Sequence, residues 1–84
     1  MIMEDENFIR LNIPALLSAP EVKFKTEQIV GTWTLLDDEI NSIHPMPSNV
    51  EFTVALVNGS ACLFVSAKIN RATAKLSNIK VEER

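Results

Sequence analysis

Few side chains in this 84-residue sequence are able to do covalent or metal chemistry. There is one cysteine, Cys62, one histidine, His44, and one tryptophan, Trp33. A nucleophile needs a base within hydrogen-bond reach. Cys62 lies in Ser60-Ala61-Cys62-Leu63-Phe64 and His44 between Ile43 and Pro45, with no spacing that pairs them. A free cysteine in apolar company ordinarily behaves as a small buried hydrophobe. Structural zinc takes four Cys or His ligands, and the chain has two in all. Asp37, Asp38 and Glu39 supply oxygens, but consecutive carboxylates point in different directions and lack the spacing of a calcium loop. Acidic residues in the first turn of a short helix, where its dipole favours them, account for this run. No paired-carboxylate pattern and no glycine-rich phosphate loop is visible. No catalytic residue, metal or cofactor is therefore expected, and the protein is not expected to be an enzyme.

The element that must position whatever site exists is Asn49–Ile69, which reads as a β-hairpin, strands 50–57 and 60–69. Asn58-Gly59 is the preferred pair for a two-residue type I′ turn, since both central positions need a positive φ. That turn sets Leu56 opposite Ala61, Val54 opposite Leu63, Phe52 opposite Val65 and Val50 opposite Ala67. One face is then wholly apolar. The other, with Thr53, Ala55, Cys62 and Phe64, is only half polar and must be covered by the rest of the chain or by a partner.

Upstream, Ile9, Leu11 and Ile13 alternate with Phe8, Arg10 and Asn12, predicting a first strand that ends at Pro14. Residues 1–6 read as a frayed acidic terminus. Val22 and Phe24 alternate with Lys23 and Lys25 as a short second strand. Residues 26–44 allow two readings. Ile29, Trp33, Leu36, Ile40 and Ile43 have helical spacing, whereas Ile29–Thr34 is rich in β-formers. The working expectation is a strand over 28–36, then a short helical piece capped by Asp37 or Asp38 and stopped by Pro45. His44–Ser48 is an extended loop. After a tight connection at Asn70-Arg71, a last strand over 72–82 needs one extra residue near Ser77-Asn78, a β-bulge, to keep its alternation. The fold class is mainly β, alternatively α+β: one domain over 1–84, a small antiparallel sheet or partial barrel of about five strands with one short helix.

The segment Val30-Gly31-Thr32-Trp33-Thr34-Leu35 resembles the opening strand of small lipocalin-like barrels, and in particular the META-domain family, whose members often begin with Gly-Thr-Trp-x-Leu. The likeness runs on through Pro47, Glu51-Phe52-Thr53, Gly59-Ser60-Ala61-Cys62 and Lys75–Ile79, about residues 30–81, with Leu63 where that family has asparagine. The resemblance implies a lipocalin-like β-fold without enzymatic activity. On that alternative Trp33 lines a site for a small apolar ligand; otherwise it is a core anchor.

Charge divides unevenly. Residues 1–49 carry three basic side chains against eight acidic, and residues 50–84 carry five against three, for a net charge of −3. The basic residues are dispersed and tyrosine is absent, unlike the dense basic stripe of a nucleic-acid binder. No nucleic acid is expected. The acidic start has no long apolar run, so neither secretory signal nor membrane span is expected, and one cysteine suits a reducing, cytoplasmic location. The leading expectation is a small protein-binding module of interaction or inhibitor type, of the kind found in phages and mobile elements. Its partner is another protein or a second copy of itself, met through Thr53, Cys62 and Phe64 or through the acidic Asp37, Asp38 and Glu39. A structural subunit of a homo-oligomer is the remaining alternative.

Overall fold

The computed structural model describes residues 2–83. Three short helices come first: α1 (Ile2–Leu11), α2 (Ile13–Leu17) and α3 (Pro20–Thr26). Five antiparallel strands follow: β1 (Thr34–Leu35), β2 (Ser42–Pro45), β3 (Asn49–Asn58), β4 (Ala61–Asn70) and β5 (Leu76–Glu83). β1 and β2 both pair with β3, against Leu56–Val57 and Val50–Thr53 respectively, and the sheet then runs β3-β4-β5. The fold is thus mainly β, an open five-stranded sheet with helices on one face.

Both upstream strands of the sequence reading are corrected to helices, so three short helices stand where one was expected. Apolar residues two apart share a face in a strand but point to nearly opposite sides of a helix. Val22 is fully buried while Phe24 is 69% exposed, and Ile9 is buried while Leu11 is 79% exposed. Ile9 and Leu16, seven residues apart, both reach the core. Pro14 and Pro20 sit in the first turns of α2 and α3, where a missing N–H is tolerated, so Pro14 opens a helix rather than stopping a strand. Met1 lies outside the described residues; the rest of the expected frayed terminus, from Ile2, begins α1.

The strand expected over 28–36 shrinks to Thr34–Leu35. Ile29 and Val30 are exposed, Val30 at 98%. Gly31 adopts φ +128 and lies so close to the Asn58 amide that an added Cβ would meet Asn58 Oδ1 at 2.8 Å. The expected helical piece is a 3-10 turn over Leu36–Asp38 with Asp37 and Asp38 at φ 55 and 54, capped by neither aspartate side chain. Pro45 ends β2 rather than a helix, and His44 belongs to that strand rather than to a loop.

The hairpin is present, two residues out of the expected register. Asn58 pairs with Ala61, Leu56 with Leu63, Val54 with Val65, Phe52 with Ala67 and Val50 with Ile69. Gly59-Ser60 are the turn residues, with φ +63 at Gly59 and no positive φ at Ser60, the sign pattern of a type II′ turn. A shift of two leaves every side chain on its expected face, so the apolar face is as read. The outer face explains the choice of register. It sets Glu51 opposite Lys68 and Thr53 opposite Ser66, an ion pair at 3.7 Å and a hydroxyl pair at 3.1 Å. The type I′ register would have left Glu51 facing Ser66 and Thr53 facing Phe64. Asn58, relieved of the turn, donates from Nδ2 to the Val30 carbonyl at 3.3 Å.

β5 carries the expected bulge. Its register with β4 shifts between Ser66 and Lys68, and Asn78 takes φ 52. Within this ladder Leu76 meets Ile69 and Val81 meets Val65, and the strand begins at Leu76 rather than at Ala72. The connection is an Asx turn, with Asn70 Oδ1 accepting from the N–H groups of Ala72 and Thr73 at 2.8 and 3.0 Å. The core lies between the helices and the inner sheet face, joining Ile9, Leu16, Val22 and Trp33 to Val50, Phe52, Val54, Leu56, Leu63, Val65, Ala67 and Ile69.

Candidate functional site: the open face of the sheet

Because strand side chains alternate, the residues between the core positions of β3 and β4 form the opposite, uncovered face. Thr53, Cys62 and Phe64, singled out from sequence, all lie on it. Phe64 faces Ala55, Cys62 faces Val57 and Thr53 faces Ser66. Phe64, Cys62 and Val57 are half-buried, while Ala55 is fully buried. Trp33 does not cover this face. It is 9% exposed within the inner core, and its indole N–H donates to the Thr26 carbonyl at 3.0 Å. That bond ties the end of α3 to the chain just before β1.

Beside the apolar half, the open face hollows into a groove of about 590 Å³. Ser42 and His44 of β2, Glu51 and Thr53 of β3, Ser66 and Lys68 of β4, and Asn78 and Lys80 of β5 contribute to its lining. Sequence reasoning missed most of these. Their place depends on the pairing of β2 and β5, which no local pattern discloses. The bulge is the one signal that was visible: it turns Asn78 into the groove while Ile79 and Val81 pack against the core.

The groove offers hydroxyl, amide, ammonium and imidazole groups with one carboxylate, which Lys68 already engages. That set binds by hydrogen bonds. His44 aligns with Glu51 and Cys62 with Val57, six residues further along β3 and so about 20 Å away; no nucleophile-base pair forms between them. Among the described residues no three His, Cys, Asp or Glu side chains are grouped to hold a metal, and no helix is long and apolar enough to cross a membrane.

The acidic residues sit elsewhere. Asp38 is held by Arg10, whose Nη1 reaches its Oδ1 at 3.2 Å and whose Nη2 reaches its carbonyl at 2.7 Å; Arg10 also pairs with Glu6. Asp38 thus fastens α1 to the turn after β1, while Asp37 and Glu39 remain exposed there. Asp5 forms a 2.6 Å bond with Arg71, which also donates to the Met46 carbonyl. The hydrogen bond from Arg71 holds the Asp5 carboxyl below its ordinary range, and the same bond raises Arg71. The bond to Glu6, with Asp38 nearby, raises Arg10. Much of the acidic half is therefore engaged inside the molecule. No protein-family model, curated protein or solved structure matches the chain.

Proposed function

We propose that the protein is a non-enzymatic binding module that docks another protein on the open face of its sheet. The observation that carries this reading is the one-sided cover of the sheet. All three helices contribute to the inner core, and Phe64, Cys62 and Val57 are left half-exposed beside a polar groove on the other side. An apolar centre bordered by hydrogen-bonding groups is the ordinary anatomy of a protein interface. The partner places an apolar side chain against Phe64 and satisfies its own polar groups on Thr53, Ser66 and Asn78. Asp37 and Glu39, on the turn after β1, are a secondary contact for a basic partner.

The test is capture from lysate with tagged wild-type protein and with Phe64→Ser, followed by amide exchange on the isolated complex. The expected result is a partner retained by the wild type, lost with Phe64→Ser, and slowing exchange in β3 and β4. A partner held equally well by Phe64→Ser, or protecting only the helices, would sink the reading.

A further inference from the structure

The two edges of the sheet differ. One is occupied by β1 and β2, separated by 36–41, where Asp37 and Asp38 both adopt positive φ, and it finishes on Pro45. Breaks and prolines of this kind leave no run of backbone for another strand. The other edge is β5. It pairs with β4 alone, and among the described residues no backbone group of Ile79–Glu83 bonds outside that ladder. The bulge interrupts β5 at Asn78; beyond it the strand is regular, with α3 packed against it and, among the described residues, no further backbone hydrogen bonds on its outer edge.

The run Ile79-Lys80-Val81-Glu82-Glu83 is complementary to itself when laid antiparallel. A two-fold axis at Val81 sets Val81 against Val81, Lys80 against Glu82, and Glu82 against Lys80. Lys80 stands opposite Ser66 and Glu82 opposite Phe64, so both new charge pairs fall on the outer face, directly across from each other. Opposite charges in that position favour pairing, and like charges oppose it. A parallel arrangement in register would set Lys80 against Lys80. Within one chain these charges are unspent. Arg10, Lys23, Lys25, Lys68 and Arg71 each hold a carboxylate, whereas among the described residues Lys80 and Glu82 have no ion-pair partner. On the inner side Ile79 and Val81 are half-buried against the core, and a second copy covers their edge flank. Glu83, which falls opposite Ile79 of the second copy, is drawn aside to Lys25 of its own chain at 3.4 Å.

We propose that the free β5 edge pairs with the same edge of a second copy, antiparallel and centred on Val81, giving a two-fold dimer with one continuous sheet. The open faces of the two copies then form a single extended surface.

Sedimentation velocity over a concentration series tests this with wild type, Lys80→Glu, Glu82→Lys and the double exchange Lys80→Glu/Glu82→Lys. The wild type is expected to dimerise. Each single reversal sets like charges face to face at two places and should raise the dissociation constant roughly tenfold or more; the double exchange should restore it. All four side chains involved are exposed strand positions, and circular dichroism of each variant checks that the monomer is folded. A wild type that stays monomeric, or a dimer indifferent to the single reversals, overturns the proposal. Phe64→Ser should leave the dimer intact; its loss there would move the contact to the open face and equally overturn edge pairing. Failure of partner capture leaves this test unaffected.

Discussion

On the inner face of the hairpin, Val50, Phe52, Val54, Leu56, Leu63, Val65, Ala67 and Ile69 are all apolar and all buried; on the outer face only Ala55 is buried. The two faces of the same strands do different work. The inner one supplies the burial that drives folding, but it does not distinguish registers two residues apart, because either alignment sets apolar against apolar. The outer face supplies that distinction through Glu51–Lys68 and Thr53–Ser66. Stability and specificity are thus separated by a single sheet thickness, and of the two faces the outer one keeps side chains partly exposed.

Substitution should reveal the separation most strongly in the core. Leu56→Ala, at a fully buried site, is expected to cost about 2–5 kcal/mol, read as a fall in urea midpoint. Phe64→Ala should cost about 1 kcal/mol, since the ring is only partly removed from water. Equal losses at the two sites would erase the contrast between the faces.

The turn comes next. Gly59→Val has open space around the new side chain, so its cost is conformational, about 1–2 kcal/mol for a branched residue at φ +63. Asn58→Ala should remove only the bond to Val30 and keep the type II′ register. Altered strand pairing by NMR in that variant would return the turn to Asn58-Gly59.

Glu51→Lys sets like charges across from Lys68 and should cost up to about 1 kcal/mol at low salt, less as salt rises. A loss that does not respond to salt would mean that the pair plays no electrostatic part in the register.

The smallest effect should be pH-dependent. Arg71 lowers the Asp5 carboxyl in the folded protein, so the unfolded chain takes up the proton first as pH falls. The stabilisation is complete above the ordinary carboxylate range and is lost as pH drops through the folded value. Asp5→Asn should flatten this acid limb of the stability profile without changing the neutral plateau by more than an exposed ion pair contributes. A slope identical to wild type would count against the Arg71 contact in solution.

The hairpin strands, the division of their faces and the bulge at Asn78 were legible because each rests on neighbours in sequence. Parity alone put Thr53, Cys62 and Phe64 on one face. Register was not legible, since the apolar face is degenerate and Asn58-Gly59 advertises a turn that the outer-face pairs outweigh. The helices were misread for a related reason. Ile9-Leu11-Ile13 and Val22-Phe24 fit a period of two, because the helices leave Leu11 and Phe24 exposed on their outer sides, and α2 and α3 are too short to be stable alone. They hold because Leu16 and Val22 find the sheet. The groove was hidden because His44, Ser42 and Lys80 reach it only through long-range pairing.

The bond from Trp33 to Thr26 has a practical corollary. The chain has one tryptophan and no tyrosine, so its near-ultraviolet emission comes from a single indole placed at the seam between helices and sheet. Red-shifted, water-quenched emission would signal the helical layer lifting away even while the hairpin persists. Comparing that signal with strand-sensitive circular dichroism during unfolding would tell whether the two layers part together or in succession.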